Sequence, residues 1–245
     1  MSPEPHDASS MASRKDPLKY PAGVPDKFSP SGTPQPFPGN TIICPLRSDP
    51  NLHASLLGIY HRLQESPLAD LYALLPASSW HMTVFDCVCD SRRGVGRWPS
   101  DLADDASLEE CTELFQRKLD GFHLGSEMPL RLSITGVDSF EQRSGIALHV
   151  EPAPDDEEAL RRLRDRLAER LQIRKSDHES YGFHLSMAYL LQHLSEEQEA
   201  ELMRTCSEHL RHLLPILFEL GEMAFCTFLD MRAYEPVVVL EGRQR

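Results

Sequence analysis

Hydrophobic and polar positions in the first half of the chain follow two periods, one typical of strands and one typical of helices. Residues 41–46 form a short apolar run, and the apolar positions after it recur every three or four residues, which predicts a helix. The stripe of that helix consists of Leu52, Leu56, Leu57, Tyr60 and Leu63. The pattern then predicts a strand over 80–88, a helix from Ser107 and a strand over 130–138.

Two stretches between these elements carry other signals. Ser66 and Pro67 suit a helix cap and a first helical position, so a short helix is predicted from there until Pro76. Residues 89–106 are polar and contain several arginines and glycines. A long loop of this kind often carries function.

The second half of the chain repeats the order of elements. Residues 145–150 predict a strand, and the acidic residues 155–158 favour the start of a helix. The buried stripe of that helix is Leu160, Leu163, Leu167 and Leu171. A strand over 183–188 follows, and the capping box that begins at Ser195 predicts another helix. The last apolar runs predict strands near 215–230 and over 236–241.

This repeat predicts an α+β domain of two lobes, in which amphipathic helices cover the outer faces of sheets. We place the lobes at roughly 41–140 and 141–245. Residues 1–40 hold nine of the 19 prolines and show no periodicity, so we expect a largely disordered N-terminal extension. Within it, residues 27–40 include two phenylalanines and suit an extended arm against the domain.

Two of the predicted strands, 80–85 and 183–188, read almost alike. Each has a histidine, an apolar residue, a hydroxyl residue and another apolar residue. Because side chains alternate along a strand, His81 shares a face with Thr83, and His184 shares one with Ser186. Two such pairs across a cleft would supply a general base, a general acid and two hydrogen-bond donors to a phosphate.

The bare pattern of histidine, any residue and a hydroxyl residue is weak, since it occurs five times. The copies begin at His53, His81, His178, His184 and His193. The requirement for an apolar residue in the middle and another after the hydroxyl removes the copies at His178 and His193, and the copy at His53 lies within a helical pattern, which leaves those at His81 and His184. These two are therefore the candidate motifs. Unperturbed imidazoles titrate at about pH 6.5, so such a pair needs no metal to work at neutral pH.

With these motifs, residues 41–245 resemble the 2H phosphoesterase superfamily, which is defined by a pair of His-apolar-Ser/Thr-apolar strands. The resemblance implies a duplicated bilobal fold, with two antiparallel sheets, helices on the outer faces and a central cleft. It implies a phosphodiesterase in which His81 and His184 are the acid–base pair. Thr83 and Ser186 would hold the non-bridging phosphate oxygens.

The resemblance also sets the class of substrate: a 2′,3′-cyclic phosphate, a short oligonucleotide or a related cyclic nucleotide. Three alternatives remain open at this point. One is an RNA ligase-like activity in the reverse direction, which would use the same groups. The second is a non-catalytic module that binds a nucleotide phosphate, and the third is a scaffold protein whose Pro-rich arm recruits partners.

Four further residues are candidate substrate contacts. Arg92 and Arg93 follow the first motif and could reach a phosphate, although they also suit a solvated loop. Tyr181 and Tyr189 flank the second motif, where an aromatic ring either stacks on a base or packs against the strand.

Charge and composition indicate which substrates and binding partners the protein can have. The formal net charge is −13, with 38 acidic and 25 basic residues, so a long polyanion finds no general attraction. We therefore expect a small phosphodiester or short oligonucleotide as substrate, no long nucleic acid and a monomeric protein. No apolar run approaches the roughly 18 residues of a membrane span, and the polar N-terminus has no leader-like segment, so we expect a cytoplasmic protein without a membrane partner.

The six cysteines show no spacing typical of a zinc site or a disulfide framework. They are expected to be reduced and mostly buried. By simple alternation Cys87 and Cys89 share a face with His81, but they lack the two-residue gap of a zinc-binding pair. We accordingly expect neither a metal nor a cofactor.

Overall fold

The computed structural model describes residues 19–46, 50–138, 145–211 and 213–244. The described part of the chain contains four α-helices: α1 (Pro50–Gln64), α2 (Leu108–Leu119), α3 (Pro154–Leu171) and α4 (Glu196–Leu210). Its first five strands are β1 (Gly39–Pro45), β2 (Tyr72–Leu74), β3 (His81–Cys89), β4 (His123–Met128) and β5 (Leu130–Val137). The others are β6 (Gly145–Pro152), β7 (His184–Leu190), β8 (Ile216–Leu220), β9 (Met223–Phe228) and β10 (Glu235–Gln244).

These ten strands form one sheet in the order β4-β10-β9-β1-β3-β7-β6-β5-β8, with β2 paired to β7. All pairings are antiparallel except that of β10 with β4. The two halves of the sheet meet where β3 pairs with β7, through Met82 and Leu185. The predicted α+β class is thus confirmed. The two predicted sheets are joined edge to edge at their motif strands.

Strand pairing crosses the boundary that we placed between residues 140 and 141. The late strands β9 and β10 extend the half that contains β1 and β3, whereas the early strand β5 lies between β6 and β8. Each half of the sheet is therefore completed by chain from the other half of the sequence. Hydrophobic periodicity identifies strands but not their neighbours, so the sequence pattern could not show this exchange.

The helices form where the sequence signals place them. Ser107 and Ser195 cap α2 and α4, and each makes a reciprocal capping box with the side chain three residues on. The four predicted leucines of α3 are buried, and its first turn is acidic. Helix α1 packs against α4, and α2 packs against α3.

The helix predicted after Pro67 is wrong. Residues 69–71 form a single 3₁₀ turn, and Tyr72 to Leu74 form β2. Tyr72 pairs with Leu190 of β7, and its hydroxyl donates to the Leu63 carbonyl at 2.6 Å. Strand pairing along β7 thus outweighs a helical pattern that is too short to be stable by itself.

The N-terminal arm is more structured than its composition suggests. Phe28 and Phe37 are each only 2% exposed, and each such burial contributes about 1.5–3 kcal/mol. The Phe37 amide donates to the Leu229 carbonyl at 2.8 Å, which ties the arm to the sheet. Residues 27–40 thus lie against the domain as the predicted extended arm, the expected disorder is wrong for residues 19–26, and residues 1–18 lie outside the described part.

All six cysteines are free, and all but the half-buried Cys89 are buried, as predicted. Burial raises the pKa of the Cys44 thiol, and likewise that of Cys206, to about 12. Among the described residues, no helix combines the length and the apolar character needed to cross a membrane.

Candidate active site

The two motif strands show the same pattern of burial. His81, Thr83, His184 and Ser186 are half-buried, while the residues between and after them are buried in the core. We call the face of the sheet that carries these four side chains the motif face. The antiparallel pairing of Met82 with Leu185 places His81 beside Ser186 and Thr83 beside His184. The alternation predicted for both motifs is thus present, and the motifs are neighbours.

Both imidazoles are held in the same way. Nδ1 of His81 lies 2.7 Å from the Ser79 carbonyl oxygen, and Nδ1 of His184 lies 3.0 Å from that of Gly182. A carbonyl oxygen only accepts hydrogen bonds, so Nδ1 carries a proton in each ring. In both rings Nε2 is left to accept or donate the proton of a reacting group.

The surroundings of His81 favour its neutral form. Burial, together with a smaller effect of the neighbouring His184, lowers the pKa of its imidazole to about 4, although the Ser79 carbonyl and Asp86 act in the opposite direction. The expectation that His81 keeps an ordinary pKa near 6.5 is therefore wrong. At neutral pH this side chain has a free Nε2 lone pair, which suits a general base.

Each motif strand contains a β-bulge at the same place. Thr83 and Phe85 pair with consecutive residues of β1, so Val84 is the extra residue. Ser186 and Ala188 pair with consecutive residues of β6, so Met187 is the extra residue there. A bulge shifts the alternation of the strand by one position. The equivalent insertions extend the internal repeat to the detail of the backbone.

The bulges decide which side chains lie next on the motif face. After the histidine and the hydroxyl residue, the third side chain of each strand on the motif face is Asp86 in β3 and Tyr189 in β7, and both are half-buried. The prediction that Cys87 lies on the same face as His81 is wrong, since Cys87 is buried. Cys89 stays half-buried at the far end of the strand.

Asp86 is a carboxylate among cations. Burial alone would raise its pKa, but the positive charges of Lys175 and Arg164, with smaller contributions from His184 and Lys27, hold the pKa below its ordinary value. Asp86 is thus ionised at neutral pH.

Tyr189, the equivalent residue of the second motif strand, contacts the N-terminal arm. Its hydroxyl accepts a hydrogen bond from Lys27 Nζ at 2.9 Å, and its ring lies 5.4 Å from that of Phe28 between centroids. Its role as a substrate contact remains a prediction.

Arg164 of α3 forms a hydrogen bond with the backbone of the first motif strand. It is 4% exposed, and it donates to the Val84 carbonyl at 2.6 Å. Its guanidinium lies 3.9 Å from the ring centroid of Tyr181, whose hydroxyl is hydrogen-bonded to Thr83. Tyr181 is itself buried. It therefore orients Thr83 and packs on Arg164, which suits a supporting role better than base stacking.

The two arginines of the loop have different surroundings. Arg93 donates hydrogen bonds to the Asp90 carboxylate and to the carbonyls of Asp104 and Ala106. Its guanidinium also lies over the Trp98 ring. It holds its own loop together and does not face the motifs. Arg92 lines a cavity that also contains Asp86, and it pairs with Asp26 of the arm at 2.9 Å.

Two other side chains near the motifs had no signal in the sequence. The Tyr234 ring contacts the His81 ring edge to face, with 4.3 Å between centroids, and both line a cavity of about 220 Å³ with Ile43 and Ala224. His149 pairs in register with His184, and its Nδ1 lies 3.1 Å from Asp138. Strand register thus brings His149 to the motif face.

One group of side chains elsewhere has the chemistry of a metal site. Asp165, His178 and Glu179 place one potential ligand atom each within 4.8 Å of the others. Arg174 forms ion pairs with both carboxylates, which already compensates their charge. His178 contacts Asp165 at 3.0 Å, so the group also suits an ion-pair network on the surface.

Comparison with known families gives one match. Residues 27–142 match the family model 2H-phosphodiest, described as a domain of unknown function (DUF1868). The matched range contains the arm from Lys27 onward and the first motif. No curated protein shows significant similarity to the chain.

Solved structures share the fold. A conserved protein of unknown function from Agrobacterium tumefaciens is 27% identical, with a TM-score of 0.81, covering 91% of this chain and 94% of its own. A phosphoesterase is 12% identical with a TM-score of 0.53, covering 86% of this chain and all of its own. Escherichia coli LigT in its apo form is 10% identical with a TM-score of 0.50 and the same coverages. These structures show the shared fold, and the family match over residues 27–142 confirms the predicted resemblance to the 2H phosphoesterase superfamily.

Proposed function

We propose that this protein is a metal-independent phosphodiesterase that acts on small phosphodiesters, such as a 2′,3′-cyclic phosphate or a short oligonucleotide. The family match and the fold point to a phosphodiesterase of the 2H type. The observation that carries the finer proposal is the matched anchoring of the two imidazoles. Both rings are fixed through Nδ1 and leave Nε2 free beside a hydroxyl of the other motif.

In the proposed mechanism His81 is the general base and His184 the general acid. Nε2 of the neutral His81 takes a proton from water, and the water oxygen attacks phosphorus. Nε2 of the protonated His184 gives its proton to the leaving oxygen as the P–O bond breaks. Thr83 and Ser186 donate hydrogen bonds to the non-bridging oxygens, whose negative charge grows in the transition state.

The pH dependence should reveal the lowered pKa of His81. Only the neutral imidazole accepts a proton, so kcat/KM should be retained as pH falls through 6.5 and should decline only near the pKa of about 4. Bound phosphate favours the charged imidazole, so the acid limb of kcat should lie at higher pH than that of kcat/KM. Steady-state kinetics from pH 3.5 to 9, with circular dichroism to monitor folding, provides the measurement.

A kcat/KM acid limb centred near pH 6.5 would contradict a buried base at His81. Loss of the limb in His81→Gln, with folding intact, would assign it to this residue. The same profile for His61→Gln, an exposed histidine on α1, provides the control.

Chelators should leave the activity unchanged. The proposed groups perform proton transfer and phosphate binding themselves, so treatment with EDTA and dialysis should not change turnover. The substrates to test are nucleoside 2′,3′-cyclic phosphates, 3′,5′-cyclic nucleotides and 2′,5′- or 3′,5′-linked dinucleotides. Inactivation by EDTA that added zinc or magnesium reverses would remove this mechanism. Tight binding of these compounds without turnover would favour the non-catalytic module.

A further inference from the structure

A second polar cavity opens at the far end of the first motif strand. It has a volume of about 290 Å³ and contains Asp86, the third residue of β3 on the motif face. Its cationic side chains come from three separate segments, namely Lys27 of the arm, Arg92 and Arg97 of the loop, and Lys175 after α3. Four cations thus face two carboxylates, Asp86 and Asp177.

The backbone holds this cluster together. Gly96 has φ of +71°, and a Cβ at this position would clash with the Arg174 carbonyl oxygen. The loop therefore passes directly against the chain at 174–175, which brings Arg97 and Lys175 to the same cavity. Such a close approach fixes the relative positions of the two backbone segments that carry these cations.

The four cations differ in the partners that they have among the described residues. Arg92 is paired with Asp26, and Lys27 donates to Tyr189. Over the described ranges, by contrast, the side chains of Arg97 and Lys175 make neither a hydrogen bond nor an ion pair. The charges of Lys175 and Lys27 act on Asp86, which compensates part of the positive charge. The cavity thus keeps an excess of uncompensated donors beside the motif face.

We propose that this cavity is a subsite for a phosphate group of the substrate, separate from the phosphate that reacts. The proposal rests on the proposed function and narrows its substrate class to phosphodiesters that carry a second phosphate. Asp86 stands three positions after Thr83, so at about 3.3 Å per residue the two positions lie no more than ~10 Å apart along the strand. A pentose with its linking atoms spans such a distance. Arg97 and Lys175 would donate charge-assisted hydrogen bonds to the second phosphate.

The kinetic test uses two substrates that differ in one group. A nucleoside 2′,3′-cyclic phosphate with a 5′-phosphate is compared with the same compound bearing a 5′-hydroxyl. Wild type should show a kcat/KM about tenfold or more in favour of the 5′-phosphate, since contacts to charged groups reach this size. Arg97→Ala/Lys175→Ala should reduce this ratio towards one. Arg117→Ala, an exposed cation on α2, should leave the ratio unchanged.

A binding measurement tests the subsite independently of the proposed reaction. Calorimetric titration with inorganic phosphate should show binding in a Thr83→Ala/Ser186→Ala variant, and this binding should be lost at the same concentrations when Arg97→Ala and Lys175→Ala are added to that variant. If no phosphodiester is hydrolysed but this difference is found, the subsite stands and the proposed function falls.

Equal wild-type efficiency on both substrates would overturn the assignment of the subsite to the substrate. Free-phosphate binding lost in Arg97→Ala/Lys175→Ala would then identify a site for free anions instead. The subsite itself would be overturned by a substrate preference in Arg97→Ala/Lys175→Ala equal to that of wild type, or by phosphate binding that survives when these two changes are added to Thr83→Ala/Ser186→Ala.

Discussion

Replacing either motif histidine with alanine should lower kcat/KM for a small phosphodiester by about 10²–10⁴-fold, with little change in thermal stability. Each change removes one of the two groups that move a proton in the transition state. Neither imidazole holds a buried network together, because the hydrogen bond that each makes among the described residues is to a carbonyl two residues before it. Turnover and melting temperature of His81→Ala, His184→Ala and the control His61→Ala would be measured together.

Substrates with different leaving groups distinguish the general acid from the general base. A general acid matters most when the leaving oxygen is basic, as in an alkoxide, and least when it is a p-nitrophenolate. The loss in His184→Ala should therefore be much smaller for a p-nitrophenyl phosphodiester than for a nucleoside substrate, whereas the loss in His81→Ala should be similar for both. The reverse pattern would exchange the acid and the base. Unfolding of either variant would instead assign its histidine a structural role.

Thr83→Ala and Ser186→Ala should each lower kcat by about 10–10³-fold, the usual cost of a lost hydrogen bond to a developing charge. The effect should fall mainly on kcat, because the phosphate oxygens gain negative charge as the transition state forms. Steady-state kinetics of each alanine variant would be compared with that of Thr83→Ser and Ser186→Thr, which keep the hydroxyl.

The two positions should differ in one respect. Thr83 is also hydrogen-bonded to Tyr181, which packs on the buried Arg164, so Thr83→Ala should lower the melting temperature more than Ser186→Ala. Wild-type kinetics in both alanine variants would mean that the hydroxyls do not face the substrate. Full activity in Thr83→Ala but not in Thr83→Ser would point to steric crowding instead.

The sequence predicts which side chains lie on the motif face at the start of each motif strand, but not beyond the bulge. Strict alternation identifies the shared face of His81 with Thr83, since no irregularity intervenes. The bulge at Val84 then shifts the alternation, so Asp86 lies where we had placed Cys87. A bulge is set by pairing with β1, a strand some forty residues earlier, and hydrophobic pattern alone contains no such information.

The remaining parts of the site come from segments that lie far apart along the chain. Lys27 belongs to a Pro-rich stretch without periodicity, for which the sequence suggests an extended arm but not its contacts, and Phe28 and Phe37 bury this arm against the sheet. Tyr234 reaches His81 because β10 pairs with β9, which in turn pairs with β1. Local sequence signals predict the helices and the motifs well. They do not predict contacts that depend on the order of strands in the sheet.

The exchange of strands between the two halves also has a consequence for synthesis in the cell. Ile43 of β1 pairs with Ala224 of β9, so one edge of the first strand stays open until nearly the whole chain has left the ribosome. At about 5–20 residues per second this wait lasts roughly 10–40 s. During that time an unpaired apolar strand edge is open to wrong partners. Translation that stops near residue 220 would leave β1 without its neighbour, and such products should depend on chaperones or be degraded.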